Sequence, residues 1–75
     1  TIMPPREICR EALLKDSTCF ILVHNHPTGD PTPSREDVAS TARIMNAAQL
    51  IGITLIDHII IGDNTYISMK DKKLI

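Results

Sequence analysis

Two histidines one residue apart, His24 and His26, are followed after seven intervening residues by Ser34 and after two more by Asp37. If a strand stays extended through His24 and His26, both imidazoles project to the same side of it. A carboxylate brought back against that pair by a folded loop completes a His-His-carboxylate set. Zinc accepts such a set and keeps a fourth position open for water. Two neutral imidazoles and one carboxylate leave the ion with residual positive charge, which lowers the pKa of bound water toward about 7 and suits the site to hydrolysis. Attack on an amide carbonyl also needs a base for the water's proton and a donor for the developing oxyanion, and Ser34 is placed to be that donor. Ser34-x-x-Asp37 has a purely structural reading as well. A serine N-cap with an acid at N3 resembles a capping box, worth about 1 kcal/mol to a helix without any catalysis, and the two readings are compatible.

The elements that must position these residues follow from local patterns. Pro4-Pro5 before Arg6-Glu7 marks a helix start, with proline in the first turn and an acid suited to the macrodipole. Ile8, Cys9, Ala12 and Leu13 form its apolar stripe, and Asp16-Ser17 closes it. Cys19 to Val23 is an uninterrupted apolar run of the kind a strand buried on both faces requires. The segment His24 to Pro33 holds Pro27, Gly29, Pro31 and Pro33, which forbid a regular helix and make a shaped loop. Helix resumes at Ser34, with apolar residues at Val38, Ala42, Met45, Ala48 and Ile51, and Gly52 stands where a left-handed C-terminal cap belongs. Ile53 to Ile56 and Ile59 to Ile61 read as strand, Gly62-Asp63-Asn64 as a turn, Tyr66 to Met69 as a hairpin arm, and Lys70 to Ile75 as a short terminal helix. Helices alternating with buried strands imply an α/β domain.

Composition narrows the function classes. Seventy-five residues make at most one domain, and a chain of this size buries only around 60% of its unfolded surface. With 43% hydrophobic residues, one Phe, one Tyr and no Trp, the core must be aliphatic. The net charge of −1 lacks the basic footprint of a surface that holds nucleic acid through phosphates. No apolar run approaches the roughly 20 residues that cross a bilayer, and Thr1-Ile2-Met3 does not open a signal peptide, so a soluble, cytoplasmic protein is the expectation. Cys9 and Cys19 are expected to stay reduced and partly buried.

Other residues have plainer explanations. His24-Asn25-His26 spells the letters of the HNH nucleases, but their residues are scattered over a ββα-metal motif whose other parts are not found here. His58, beside Asp57 at a strand junction, could support a metal site from behind its ligands, although a structural histidine is the simpler reading. Lys70, Lys72 and Lys73 read as a solvated face, and Gly29 and Gly62 as turn residues.

The spacing of His24, His26, Ser34 and Asp37 resembles the H-x-H-x₇-S-x-x-D signature of JAMM (MPN-type, JAB) metalloproteases. The surrounding words resemble the RadC family more closely still: Pro5-Arg6-Glu7-Ile8, His24 through Asp30, Pro33 through Asp37, and Asp57-His58-Ile59-Ile60-Ile61-Gly62. The resemblance implies a deaminase-like three-layer α/β/α sandwich with a mixed sheet, here lacking its N-terminal strands. It also implies Zn²⁺ held by His24, His26 and Asp37, with Ser34 assisting the tetrahedral intermediate. In that family the general base is a glutamate on a strand upstream of the helix that here begins near Pro4, so the base is expected to be missing from these residues. Glu7, Glu11 and Glu36 are the nearest carboxylates in sequence, and none lies on a matching strand.

Two functions from different classes follow. One is a zinc-dependent hydrolase acting on a peptide or isopeptide bond of a protein substrate. The other is a non-catalytic accessory or binding module in DNA repair or mobile-element maintenance, as the family name implies, with direct nucleic-acid contact disfavoured by the charge. Self-association through an unpaired sheet edge is a further expectation.

Overall fold

A computed structural model describes residues 4–75 of the chain; the reading of Thr1-Ile2-Met3 lies outside them. Five elements follow in order: α1 (Pro5–Leu14), β1 (Cys19–Asn25), α2 (Arg35–Leu50), β2 (Thr54–Ile61) and β3 (Tyr66–Ser68). The strands form one mixed sheet in the order β1-β2-β3, with β1 parallel to β2 and β2 antiparallel to β3. The crossover between the parallel strands is α2, as parallel pairing demands. The α/β class with a mixed sheet is therefore as the sequence predicts.

Both helices cover the same face of the sheet. Ala12 of α1, Ala48 of α2 and Ile53 form a buried cluster against which Cys9 and Phe20 pack. Leu55, His58 and Ile60 of β2 are buried beneath α2, with Ile44 and Met69 completing an aliphatic core. Among the described residues this gives two layers of the three implied by the family resemblance.

Several local expectations change. The strand β1 is not buried on both faces: Phe20, Leu22 and His24 turn inward, whereas Ile21 and Val23 are 53% and 63% exposed. The reason is that α1 and α2 lie on one side only. Leu13, counted in the stripe of α1, is 54% exposed, and Cys19 is exposed; both cysteines are free. The buried face of α2 runs through Thr41, Ile44 and Ala48, with Ser40 beside it, while Ala42 and Ile51 are exposed. This face is rotated by about one residue from the apolar stripe because it has to present polar side chains inward. Gly52 does take the left-handed conformation, at φ +80°, that ends α2. The strand β2 runs unbroken from Thr54 to Ile61, with an irregularity where Phe20 and Ile21 pair with Leu55 and Asp57.

The expected terminal helix is absent: residues 69–73 form turns. One α-like bond, Lys72 N–H to the Ser68 carbonyl, forms, and Lys73 then turns left-handed at φ +58°. The N–H groups of Lys73 and Leu74 close back on the Lys70 and Met69 carbonyls, a helix-ending pattern, while side chains cap the start of this single turn. Asp57 accepts from the backbone N–H of Lys70 and from the Ser68 hydroxyl, and Ser68 Oγ accepts from the N–H of Asp71. Among the described residues no helix is long and apolar enough to cross a membrane.

Asp57 thus ties β2 to the chain end. Burial works to raise its carboxyl, but hydrogen bonds from Ser68, Lys70 and the His58 amide outweigh it, and the net shift is downward. A lowered folded-state pKa contributes stability above the unfolded carboxylate pKa that is lost as pH falls through the folded one. Asp57→Asn is expected to lower unfolding stability at pH 7 by about 1–2 kcal/mol. In urea titrations that deficit should shrink as the pH is brought below about 4.

Candidate metal centre

The site forms where the C-terminal end of β1 meets the N-terminal end of α2. Strand pairing continues through His24, opposite Ile60, and Asn25, opposite Ile61, and the His26 N–H donates to the Ile61 carbonyl. The backbone therefore stays extended through both histidines, and their rings meet edge to face with centroids 4.8 Å apart.

The following loop is held by its own side chains. Asp30 Oδ1 accepts from both the N–H and the hydroxyl of Thr32, an Asx-type turn. These bonds lower the Asp30 carboxyl below its ordinary value. They also orient the Asp30 carbonyl, which lies 2.9 Å from His26 Nδ1. Across the loop, the Asp63 N–H donates to the Gly29 carbonyl. Gly62 is so close to Gly29 that a Cβ there would collide with the Gly29 carbonyl and Pro31. The β2–β3 turn and the loop are thereby locked together.

At the start of α2 the capping box is complete: Ser34 Oγ accepts the Asp37 N–H at 3.0 Å, and Asp37 Oδ2 accepts the Ser34 N–H at 2.8 Å. This fixes the Asp37 carboxylate, whose two oxygens face the two histidines. Oδ2 lies 3.2 Å from His26 Nε2 and Oδ1 lies 3.9 Å from His24 Nδ1. His24, His26 and Asp37 each offer a ligand atom, all within 4.8 Å of one another.

The protonation pattern shows what the cluster accommodates. A carbonyl only accepts, so His26 Nδ1 carries the hydrogen that Asp30 receives, and Nε2 is the ring nitrogen turned toward Asp37. Burial works to raise the Asp37 carboxyl, but the Ser34 hydrogen bonds and the two histidines bring it below its ordinary value, so Asp37 is ionised at neutral pH. His26 Nε2 and Asp37 Oδ2 lie 3.2 Å apart. His24 Nδ1 is also buried with no hydrogen-bond partner. Two imidazoles with one carboxylate are a donor set suited to a divalent metal. The residues present therefore fit a metal ion.

All four side chains singled out by spacing are brought together, His24, His26 and Asp37 around one point and Ser34 behind Asp37. Glu7, Glu11 and Glu36 are exposed and outside the cluster, Glu11 pairing with Lys15. Sequence reasoning missed Asp30, which acts through its carbonyl; the Asp-x-Thr turn pattern was the available signal. It also missed Thr41, whose hydroxyl donates to the Asp37 carbonyl and lies 2.7 Å from Nδ1 of the fully buried His58. The His58 ring lies 5.8 Å from that of His24. Burial, then the neighbouring His24, lowers the His58 pKa against the opposing pull of Asp37 and Asp57, so this ring is neutral.

The fold and site together define a small mixed α/β domain with a His-His-Asp cluster at the carboxyl end of a parallel strand pair. The family model of the RadC-like JAB domain matches residues 1–74, and the chain belongs to that family. It is 54% identical over 72 residues to a UPF0758 protein of Bacillus licheniformis, covering 96% of this chain and 32% of the relative. A UPF0758 protein of Desulforamulus reducens is 52% identical over 75 residues, covering 100% and 33%, and one of Clostridium botulinum is 56% identical over 72 residues, covering 96% and 32%. The chain thus spans about a third of the length of the curated relatives it matches.

Because the Gly62 contact is with backbone, Gly62→Ala cannot be absorbed by a side-chain rotation. It is expected to destabilise the fold by about 1–3 kcal/mol in urea unfolding.

Proposed function

We propose that this chain carries the metal-binding part of a zinc-dependent hydrolase that cleaves peptide or isopeptide bonds, with His24, His26 and Asp37 as ligands. The single observation that supports it best is the convergence of ligand atoms from His24, His26 and Asp37 within 4.8 Å of one another, with His24 Nδ1 buried and free of any hydrogen-bond partner. Zinc bound there supplies the Lewis acidity that makes water nucleophilic near neutral pH. The chain's own residues divide the remaining work. Asp30 holds the tautomer of His26, and the capping box holds Asp37 ionised and aimed. Ser34 Oγ accepts the Asp37 N–H, which leaves its own hydrogen to donate to an oxyanion. The general base is assigned to none of Glu7, Glu11 and Glu36.

The substrate side of this reading is a protein or peptide, since a net charge of −1 offers little to phosphates. Two free cysteines, one of them exposed, suit the reducing cytoplasm. The second reading is a non-catalytic accessory module in DNA repair or mobile-element maintenance. Among the described residues β1 pairs only with β2, and self-association would use its other edge.

The test is metal analysis and peptidase assay of the full-length protein. Stoichiometric zinc is expected, lost in Asp37→Ala together with any hydrolysis. Ser34→Ala is expected to keep the zinc while turnover falls on the order of 100-fold. A full-length protein that binds no metal sinks the hydrolase reading. Bound zinc with no hydrolysis, together with salt-dependent DNA binding, supports the accessory module instead.

A further inference from the structure

His58 is a polar ring with 0% exposure, fully buried like Ile44, Ile60, Met69 and Thr41. Burying such a group is costly unless its nitrogens are satisfied, and a leucine would fill the same space without that cost. One nitrogen is satisfied in an informative way. Thr41 Oγ1 lies 2.6 Å from the Asp37 carbonyl and 2.7 Å from His58 Nδ1. The carbonyl can only accept, so the single hydroxyl hydrogen of Thr41 goes to it, and His58 Nδ1–H must donate to Thr41. The chain of donation runs from β2 through α2 into the main chain of Asp37. The same ring flanks His24 on β1, at 5.8 Å between centroids and 26° between planes. His58 Nε2 is then a bare, buried acceptor with no partner.

We propose that His58, acting through Thr41, is a positioning residue of the metal centre, setting the placement of Asp37 while its ring limits the movement of His24. It rests on the metal-site reading above. One residue of β2 thereby registers the two elements that carry these ligands, α2 and β1. Partners of this kind behind metal ligands tune affinity by about 10–100-fold. A residue that merely fills the core would contribute only to stability.

The experiment compares variants that keep or remove the hydrogen bond. Thr41→Val preserves shape and removes the hydroxyl, whereas Thr41→Ser keeps it. His58→Leu removes the donor, and His58→Asn keeps an N–H near the Nδ1 position. Zinc affinity is measured on the full-length protein by competition with a chromophoric chelator, the ligand field by the visible absorption of the cobalt-substituted form, and apo stability by thermal unfolding. Thr41→Val and His58→Leu are expected to weaken zinc binding by about 10–100-fold and alter the cobalt spectrum, with recovery toward wild type in Thr41→Ser and His58→Asn. Unchanged affinity and spectrum in Thr41→Val overturn the proposal, as does a loss that tracks apo stability whether or not the hydroxyl is present. Wild-type protein that takes up no zinc removes it together with the reading beneath it; zinc-binding wild type with unaffected variants removes this proposal alone.

Discussion

An imidazole that commits its Nδ1–H to one fixed acceptor turns its Nε2 in one fixed direction, and a metal site depends on that aim. His26 is in that position: Asp30 takes its hydrogen on one side and Asp37 faces it on the other. A rotation of the ring or a swing of the carboxylate would break this alignment, and the structure opposes both. The Asx turn and the Gly29 contact with the β2–β3 turn hold the Asp30 carbonyl, while two capping-box hydrogen bonds hold Asp37. Groups held in place in this way are preorganised for a ligand that arrives from outside.

Asp37 has two tasks that pull in different directions. As the N3 residue of α2 it accepts an amide hydrogen bond and benefits from the positive end of the helix dipole, which favours its ionised form. The same dipole disfavours a cation nearby. The carboxylate stands between the helix end and the histidines, so its negative charge offsets the dipole where a metal would sit. A neutral side chain at this position would keep part of the cap and leave the dipole uncompensated. Ser34 sits on the helix side of that arrangement, and its capping role is sufficient to explain its placement.

The parts of the molecule that could be read in advance are those whose determinants are local. Alternation along a strand aligns His24 with His26, the prolines of the loop exclude a helix, and Ser34-x-x-Asp37 announces a helix start. What escaped reading depends on partners distant in sequence. The inward face of α2 was mistaken by about one residue because the face that meets the sheet carries Asp37 and Thr41, and a hydrophobic count places such residues outside. Thr41 finds its partner 17 residues away on β2. The apolar residues on both faces of β1 suggested burial on both sides, but the described helices cover only one. The terminal turn does not extend into a helix because Lys73 turns left-handed and the N–H groups of Lys73 and Leu74 close back on the Lys70 and Met69 carbonyls, and no glycine or asparagine in Lys70 to Ile75 announces that stop. Asp30 contributes a carbonyl, which every residue has, so only the turn that orients it carried any signal.

Parallel pairing explains why these determinants converge. Because β1 and β2 run in the same direction, their carboxyl ends lie side by side, and the loops that leave them emerge at the same edge of the sheet. That edge is where open α/β sheets place ligands. The loop after His26 and the turn after Ile61 meet there through Gly29, Gly62 and Asp63, and the crossover helix α2 begins over the same edge. An antiparallel β1–β2 pair would put the end of β1 beside the start of β2, away from the β2–β3 turn, and the backbone contact that steadies the His26 loop could not form. The crossover therefore does more than join two strands: its starting point brings the Asp37 carboxylate to the histidines, and its register on β2 is fixed four residues later by Thr41 and His58.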